Sequence, residues 1–305
     1  MPSNNIKSLR QLTPEECKEF LNSFDCIFSD CDGVLWTVTG HPIPGVFEAL
    51  QKLKSRGKLV KFVSNNSVRS NDEYLARIAK YGMTNVKESD IIHPVKSMIW
   101  YMKQNKPNAL VYPLLGKAGI DLLVEHGFDV VDLDYDTSTC ASMGNFVLKY
   151  GLVKVDYVLA DVNTSWGYIH MVKAVEYLKD SNCQLLFGAM DQVIPLDASH
   201  SMPGYIDFYN FLLKYSNKQP IVLGKPSLLL ADILKERFNI TQANRCLFIG
   251  DSLKMDINFG KNVGFQTLFV LSGGNTKEDM LNAPECNTPD YYAESVRDFM
   301  DILGE

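Results

Sequence analysis

The amino-acid sequence predicts an α/β protein, with a doubly wound parallel sheet as its core and a second α/β domain inserted into it. Short apolar runs of strand length alternate with longer segments whose apolar residues recur at helical spacing. This alternation restarts in the middle of the chain, where candidate catalytic groups are few. The chain has 305 residues, of which 46% are hydrophobic and 22% are charged, so it is long enough for two domains.

Capping residues mark the helix boundaries in the first third of the chain. Residues 13–16 match a capping box with proline at the first helical position. A second predicted helix, at 44–56, has one apolar face and is ended by Gly57. Ser70 and Glu73 match another capping box. These signals predict three helices, separated by apolar strands at residues 26–28 and 59–63.

The remaining predicted elements follow the same alternation of strand and helix. In the middle of the chain we expect strands at residues 109–112, 128–131, 155–160 and 184–187, and helices at 117–126 and 168–179. Towards the end we expect strands at 221–223, 246–249 and 267–270, and helices from Ser227 to about residue 238, around Asp256, and at 292–303.

Composition and charge exclude several classes of protein. The formal net charge is −6, which argues against a nucleic-acid-binding protein that relies on phosphate neutralisation. No apolar run approaches the roughly 20 residues that span a bilayer, and residues 1–10 lack the apolar core of a signal peptide. The seven cysteines lack metal-ligand spacing, and we expect reduced thiols. We therefore expect a cytoplasmic protein that binds neither nucleic acid nor a membrane.

Two carboxylates, Asp30 and Asp32, follow the first predicted core strand directly, and Gly33 then lets the backbone turn away. Chemistry in an open α/β sheet gathers beyond the carboxyl ends of the strands. Neighbouring carboxylates repel unless a cation lies between them or one keeps its proton. One acid can therefore be a nucleophile beside a hard cation such as Mg²⁺, while the other is a general acid and base. A solvated turn is the alternative, because aspartate is common in turns.

Three further polar positions also follow predicted strands, namely Ser64, Lys225 and Asp251. The run at 64–67 consists of four small hydrogen-bonding residues, which could bind a phosphate or simply cap the next helix. Parallel strands would bring these positions and Asp30 to one edge of a single sheet. This convergence favours a shared catalytic site over four unrelated turns.

Four motifs resemble those of the haloacid dehalogenase superfamily of phosphohydrolases, and they stand in the family's order. The motifs are Asp30-Cys31-Asp32-Gly33-Val34-Leu35-Trp36, Phe62-Val63-Ser64-Asn65-Asn66-Ser67, Gly224-Lys225-Pro226-Ser227, and Gly250-Asp251 with Asp256-Ile257. Within the superfamily the chain is similar to the branch of phosphoglycolate, pyridoxal phosphate and 4-nitrophenyl phosphate phosphatases. The resemblance implies a Rossmann-like core, at residues 1–103 and 207–305, split by a C2-type α/β cap at residues 104–206.

The same resemblance implies a Mg²⁺-dependent phosphatase that forms an aspartyl-phosphate intermediate. Its substrate would be a small phosphorylated metabolite, such as phosphoglycolate or a compound like 4-nitrophenyl phosphate, and we expect a homodimer through the cap. Asp30 would be the nucleophile and Asp32 the general acid and base. The implied phosphate-binding residues are Ser64, Asn65, Asn66 and Lys225, and the implied metal ligands are Asp30, the backbone carbonyl of Asp32, and Asp251.

The cap departs from the family pattern at positions that bear on the substrate. The family's aspartate before a cap helix falls on Asn163 without a gap, or on Asp161 if two residues are inserted. A Thr-Asn pair of the family is replaced by Gly188 and Ala189. Ile194 stands where the pyridoxal phosphatases are expected to have histidine, and an aliphatic side chain cannot hydrogen-bond a pyridoxal ring. We therefore expect phosphoglycolate or another small organic phosphate, with pyridoxal phosphate as the alternative.

Two other functions are compatible with parts of this pattern. A signalling receiver domain also phosphorylates an aspartate after a strand, but it is about half as long and has no cap. A phosphate-binding protein that has lost turnover is a further alternative, although every expected catalytic position is filled. Asp256 could support the metal through a water molecule or lie on a helix surface without a role.

Overall fold

The structure is a computed structural model, and it describes residues 6–133, 153–163, 166–195 and 200–304. These residues form a seven-stranded sheet, a five-stranded sheet and a two-stranded hairpin. Every strand pair in the two larger sheets is parallel. Helices connect the strands, so the α/β class with an inserted α/β unit is confirmed.

We call the seven-stranded sheet the core sheet. Its strands, in spatial order, are β1 (Lys7–Ser8), β14 (Tyr291–Ala293), β13 (Gln266–Val270), β12 (Cys246–Gly250), β2 (Cys26–Ser29), β3 (Leu59–Val63) and β4 (Ile91–Ile92). From β2 the chain moves outward through β3 to β4, and it later continues on the other side of β2 through β12, β13 and β14. The strand order therefore reverses between β2 and β12, which is where ligands bind in doubly wound sheets.

Both faces of the core sheet are covered by apolar side chains. Along β2, Ile27 packs into one hydrophobic cluster, whereas Cys26 and Phe28 pack into another on the opposite face. This division follows from the two-residue period of a strand. A strand buried on both faces must be apolar throughout, which explains why β2 reads as a continuous apolar run in the sequence.

We call the five-stranded sheet the cap sheet. Its strands, in spatial order, are β11 (Ile221–Val222), β8 (Gln184–Phe187), β7 (Tyr157–Ala160), β5 (Leu110–Leu114) and β6 (Asp129–Val130). The hairpin consists of β9 (Val193–Pro195) and β10 (Ser201–Pro203), which pair antiparallel. Along β7 the side chains alternate between two clusters, with Leu159 on one face and Val158 on the other.

The described α-helices number eleven. They are α1 (Pro14–Ser23), α2 (Val46–Ser55), α3 (Asn71–Lys80), α4 (Pro94–Asn105), α5 (Lys117–Glu125), α6 (Tyr168–Leu178), α7 (Ile206–Ser216), α8 (Leu228–Arg237), α9 (Asn258–Val263), α10 (Lys277–Leu281) and α11 (Phe299–Leu303). The predicted capping boxes of α1 and α3 are present, and Ser227 caps α8. No helix within the described ranges is both long and apolar enough to cross a bilayer.

Two elements differ from the sequence-based expectation. The strand at Ile221–Val222 was expected in the same sheet as β2, and this was wrong, because it pairs with β8 in the cap sheet. The terminal segment was expected to be one helix from residue 292, but its first residues form β14, which completes the core sheet beside β13. A strand of two or three residues has too little periodicity to indicate which sheet it joins.

The predicted division into domains stays a proposal. Helix α7 packs on the cap sheet through Tyr209 and Leu212, and the cap sheet also contains Ile221–Val222. These contacts favour a second boundary after residue 222 instead of after residue 206. Among the described cysteines, Cys26, Cys183 and Cys246 are buried free thiols as expected. Cys140 lies outside the described residues.

Candidate active site

Asp30 and Asp251 lie side by side at the point where the strand order reverses. Asp30 directly follows β2 and Asp251 directly follows β12, and these two strands are neighbours in the core sheet. The backbone N–H of Asp30 donates to the carbonyl of Ile249 at 2.8 Å, which continues the ladder one residue beyond β2. The parallel register therefore places both carboxylates at the same edge of the sheet, as predicted from the sequence.

Asp256 completes a cluster of three carboxylates with Asp30 and Asp251, which we call the acid cluster. Their nearest ligand oxygens all lie within 4.8 Å of one another, and all three residues are buried. The Nζ of Lys225 donates to Asp30 Oδ1 and to Asp256 Oδ1, each at 2.7 Å. Asp256 is located on a single π-helical turn, Leu253–Ile257, and it also accepts from the backbone N–H of Ser252. The carboxylate of Asp256 therefore lies beside Asp30 and Asp251 instead of on a helix surface, and its support of a metal stays a proposal.

The charges of the acid cluster are only partly balanced. Burial raises the pKa of Asp30, and Lys225 offsets only part of this effect because Asp256 and Asp251 add like charge. Burial and the Asp256 carboxylate raise the pKa of Asp251 to about 7. Burial alone would lower the pKa of Lys225, yet Asp256 and Asp30 hold it above its ordinary value. Three carboxylates therefore face one ammonium group that stays charged.

Gly33 is required by the approach of Asp251. A Cβ at this position would lie 2.2 Å from Asp251 Oδ2, and the backbone has a φ of +85°, which non-glycine residues rarely adopt. Gly33 thus permits the backbone turn after Asp32 and leaves space for the Asp251 carboxylate, which follows the neighbouring strand.

The carboxylate of Asp32 points to a different set of partners. Its Oδ1 accepts from Trp36 Nε1 at 2.8 Å and from Arg69 Nη1 at 3.1 Å, and its Oδ2 accepts from Asn66 Nδ2 at 2.9 Å. The carboxylates of Asp30, Asp32 and Asp251 were expected to converge. In the structure the third member of the cluster is Asp256, and Asp32 is not part of it. The role of Asp32 as a ligand through its backbone carbonyl stays a prediction.

The turn at residues 64–67 is ordered by its own side chains. Ser64 Oγ accepts from the backbone N–H of Asn66 at 3.0 Å, and the hydroxyl of Tyr74 donates to the Asn66 carbonyl at 2.7 Å. Helix α3 is capped by Ser70, so these four residues are not needed for capping. This observation favours the phosphate-binding interpretation of the turn over the capping interpretation.

The 64–67 turn also contacts loops that follow strands of the cap sheet. Ser67 Oγ donates to Asp161 Oδ2 at 2.5 Å, and Asp161 Oδ1 accepts from the backbone N–H of Ala189 at 3.0 Å. Burial raises the pKa of Asp161 to about 6, despite these hydrogen bonds to its charged form. Asn163, the alternative position, donates to the carbonyl of Leu115 in the cap. Asp161 therefore contacts the 64–67 turn.

The space beside Asp161 explains the glycine at position 188. A Cβ on Gly188 would lie 2.3 Å from Asp161 Cγ, so a larger residue such as threonine does not fit beside this carboxylate. The glycine at position 188 therefore leaves the room that the Asp161 carboxylate occupies in this chain.

Sequence reasoning did not identify Arg69, Trp36 or Asp191 as site residues. Arg69 lies over the rings of Trp36 and Tyr74, which orients its guanidinium towards Asp32. Asp191 accepts from Asn65 Nδ2 at 2.9 Å. The sequence offered one indication that Arg69 belongs to the site, because Arg69 lies just after the 64–67 turn. The contact between Asn65 and Asp191 depends on long-range packing, which local sequence patterns do not encode.

The acid cluster fits a hard divalent cation. It offers only carboxylate oxygens, which Mg²⁺ and Ca²⁺ prefer as ligands. Burial and like charge raise the pKa of Asp30 and of Asp251, and a bound cation would favour the charged forms of these carboxyl groups.

Comparisons with known proteins agree with this site. Residues 27–129 match the family described as haloacid dehalogenase-like hydrolase, and residues 222–299 match the family described as HAD-hydrolase-like. The 4-nitrophenylphosphatase of Schizosaccharomyces pombe is 32% identical over 93% of this chain and 96% of its own length. Phosphoglycolate phosphatase 2 of Arabidopsis thaliana is 28% identical over 96% of this chain and 97% of its own length.

A solved structure of a phosphatase is also similar to this chain. The p-nitrophenyl phosphatase from Archaeoglobus fulgidus has a TM-score of 0.77 and 26% identity, over 92% of this chain and 99% of its own. The fold, the site and these relatives together define a phosphoric monoester hydrolase. The chain belongs to the haloacid dehalogenase-like hydrolases.

Proposed function

We propose that this chain is a Mg²⁺-dependent phosphatase that hydrolyses small phosphate monoesters through an aspartyl-phosphate intermediate. The proposal rests on the position of Asp30 where the strand order of a parallel sheet reverses. There the ammonium group of Lys225 donates to one carboxylate oxygen of Asp30, and the Asp251 carboxylate lies beside it. A buried carboxylate in contact with a fixed positive charge is suited to attack an anionic phosphoryl group.

Two aspartates divide the chemistry in this proposal. In the first step Asp30 attacks phosphorus and the ester oxygen leaves, taking a proton from Asp32. In the second step Asp32 accepts a proton from a water molecule, which attacks the aspartyl-phosphate and releases inorganic phosphate. Three donors around Asp32 fix the direction of its carboxyl group, and an oxygen that accepts hydrogen bonds suits the base of the second step.

Phosphoryl transfer depends mainly on position and charge. Lys225 would reduce the repulsion between Asp30 and the incoming phosphoryl group, since its Nζ already contacts Asp30. Ser64 and the backbone beside Asn65 and Asn66 would bind the phosphoryl oxygens. Asp30, Asp251 and Asp256, with the backbone carbonyl of Asp32, would hold Mg²⁺ directly or through water, and the ion would supply positive charge beside the phosphoryl oxygens.

For the substrate, we propose phosphoglycolate or another small organic phosphate, with pyridoxal phosphate as the second candidate. The names of the relatives include both 4-nitrophenylphosphatase and phosphoglycolate phosphatase, which supports a small monoester. Two acidic residues, Asp161 and Asp191, contact the 64–67 turn from the cap side.

A comparison of kcat/KM over phosphoglycolate, glycerol 3-phosphate and pyridoxal phosphate would decide between these substrates. A clear preference for pyridoxal phosphate would contradict the argument from Ile194.

We also propose a homodimer through the cap and a cytoplasmic location. Three aromatic side chains on the cap helices support the dimer, namely Tyr168 on α6 and Phe208 and Tyr215 on α7, which are 58%, 48% and 53% exposed. Light scattering tests the dimer directly. Replacement of Tyr215 by lysine should reduce the mass to that of one chain.

The central experiment measures steady hydrolysis of 4-nitrophenyl phosphate by the wild-type chain and by Asp30→Asn. The amide has nearly the same shape as the carboxylate but cannot attack phosphorus, so turnover should be lost while the unfolding temperature stays close to that of the wild type. Full activity in Asp30→Asn would exclude the aspartyl-phosphate. A wild-type chain that binds phosphate without any turnover would instead support the non-catalytic alternative.

A further inference from the structure

Asn65 makes three hydrogen bonds, and two of them join its side chain to the backbone of Lys225. The N–H of Lys225 donates to Asn65 Oδ1 at 2.8 Å, and Asn65 Nδ2 donates to the carbonyl of Lys225 at 3.2 Å. The same Nδ2 also donates to Asp191 Oδ2 at 2.9 Å. One carboxamide thus holds both polar backbone groups of a single residue and a carboxylate from the cap.

The three hydrogen bonds require a carboxamide at this distance from the Asn65 backbone. It must offer one acceptor and two donors, and aspartate has no donor while serine and threonine have a single donor. Glutamine has an additional methylene group, which would move the amide away from the Lys225 backbone. The two donors are both in use, so the Asn65 side chain has no N–H left for a phosphoryl oxygen in this arrangement.

The hydrogen bonds between Asn65 and the Lys225 backbone matter because Lys225 links two parts of the molecule. Lys225 follows β11 of the cap sheet, yet its Nζ contacts Asp30 and Asp256, which lie after strands of the core sheet. A lysine side chain has four rotatable carbon–carbon bonds and is a poor spacer unless its backbone is fixed. Asn65 lies two residues after β3 of the core sheet, and so it connects the lysine backbone to the sheet beside which the lysine acts.

We propose that the side chain of Asn65 is a positioning residue that acts through Lys225, and that Asp191 orients the Asn65 amide. This inference rests on the proposed function, since it assigns Lys225 a contact with the phosphoryl group. It adds a role to Asn65 that is distinct from the predicted contact of its backbone with phosphate. It also couples the loop after β8, which carries Asp191, to the lysine of the catalytic site.

A double-mutant cycle tests the inference. The variants are Asn65→Ala, Lys225→Met and the double variant, and the measurement is the Kd for inorganic phosphate by calorimetry with Mg²⁺ present. We expect Asn65→Ala alone to weaken phosphate binding by roughly tenfold or more, within the range of coupling between residues in contact. In the Lys225→Met background, the same change should alter Kd by less than about twofold.

Equal losses in the two backgrounds would overturn the inference, because Asn65 would then act independently of Lys225. The readout is an equilibrium constant and does not need turnover. A wild-type chain that binds phosphate but does not hydrolyse 4-nitrophenyl phosphate would therefore refute the proposed function, while the cycle would still decide the role of Asn65. Where turnover is present, kcat/KM for 4-nitrophenyl phosphate should follow the same pattern as Kd.

Asn71→Ala is the matched control. The Asn71 side chain also makes long-range hydrogen bonds, to Glu88 and His93, but it does not contact Lys225. This variant should leave the phosphate Kd within about twofold of the wild type, since substitutions that share no partner act independently. A loss as large as that of Asn65→Ala would show that the effect reflects the general stability of this region, and it would overturn the inference.

A second pair of variants tests the contribution of Asp191. Asn65→Asp retains the acceptor for the Lys225 N–H but places a second carboxylate against Asp191, so phosphate binding should weaken. Adding Asp191→Asn to this variant replaces the repulsion by a hydrogen bond, with donor and acceptor exchanged. We expect part of the phosphate affinity to return. No recovery in the double variant would contradict the orienting role of Asp191.

Discussion

The carboxylate of Asp32 lies among donors from Trp36, Arg69 and Asn66, and these contacts matter because a general acid must be held near the leaving oxygen. Arg69 is itself fixed by stacking against two aromatic rings. At the scale of single residues, the proposed mechanism therefore depends on side chains that orient another side chain.

Asp32→Asn should cause a loss that depends on the leaving group. For an alkyl ester such as glycerol 3-phosphate, kcat/KM should fall by about 10²- to 10⁴-fold, because the departing alkoxide needs a proton. For 4-nitrophenyl phosphate the loss in kcat/KM should be much smaller, since 4-nitrophenolate leaves without one. Parallel measurements on the two substrates check this, and equal losses would remove Asp32 from the role of general acid.

Asp161 should make a measurable contribution to the pH dependence of stability. Its pKa in the folded chain is raised to about 6, so the folded state keeps a proton that the unfolded chain releases near its ordinary value. The stabilisation is complete below the unfolded pKa and is lost as the pH rises through the folded pKa. Between about pH 4 and pH 6.5 the loss should total about 3 kcal/mol.

Asp161→Asn removes this titration while the amide can still accept from Ala189 and donate to Ser67. The stability of the variant relative to the wild type should therefore rise with pH over this window, which urea unfolding at a series of pH values can measure. Asp121→Asn, at an exposed position on α5, is the control. A constant difference between Asp161→Asn and the wild type across the window would contradict the predicted titration.

At the scale of elements, the loops after β3 and β7 meet through the pair of Ser67 and Asp161, and Gly188 after β8 leaves the room for it. Each of these loops begins where a strand ends, so the edges of the two sheets face each other across the site. Beside the site, the contact between these loops is thus polar, and it depends on the absence of a side chain at Gly188.

Gly188→Ala should destabilise the chain by about 1–3 kcal/mol, because the new Cβ would lie 2.3 Å from the Asp161 carboxyl carbon. Thermal or urea unfolding measures the change. Gly116→Ala is the control, since its Cβ would lie 3.8 Å from the Val162 carbonyl, an ordinary contact. If the clash is the cause, combining Gly188→Ala with Asp161→Ala should cost less than the sum of the two single changes.

At the scale of the whole molecule, the acid cluster joins strands and turns that are distant in the sequence. Asp30 precedes the inserted cap in the sequence, Asp251 and Asp256 come after it, and Lys225 follows the last strand of the cap sheet. Their mutual repulsion opposes folding unless a cation is bound. The site should therefore affect both catalysis and stability.

Mg²⁺ should stabilise the folded chain and be required for turnover. A ligand at one hundred times its Kd stabilises by about 2.7 kcal/mol when it binds only the folded state, so the unfolding temperature should rise with Mg²⁺ and fall with a chelator. Asp251→Asn should remove most of this response. Undiminished turnover of 4-nitrophenyl phosphate after thorough chelation would contradict the requirement for a metal.

The sequence was sufficient for the local features. Capping boxes at Thr13 and Ser70 and the strand at Leu59–Val63 were predicted correctly because their signals come from neighbouring residues. The convergence of Asp30 and Asp251 was also predictable, since parallel strands must end at a common edge. Recognition of the motifs then connected these positions to phosphate chemistry.

Only the tertiary structure decided which side chains meet. It placed the strand before Lys225 in the cap sheet, grouped Asp256 with Asp30 and turned Asp32 towards Arg69. The physical reason is that side-chain direction and strand partnership depend on contacts between residues far apart in the chain, which local periodicity does not encode. The sequence by itself determined the residue types available at the ends of the strands, and the packing of two sheets determined which of them act on each other.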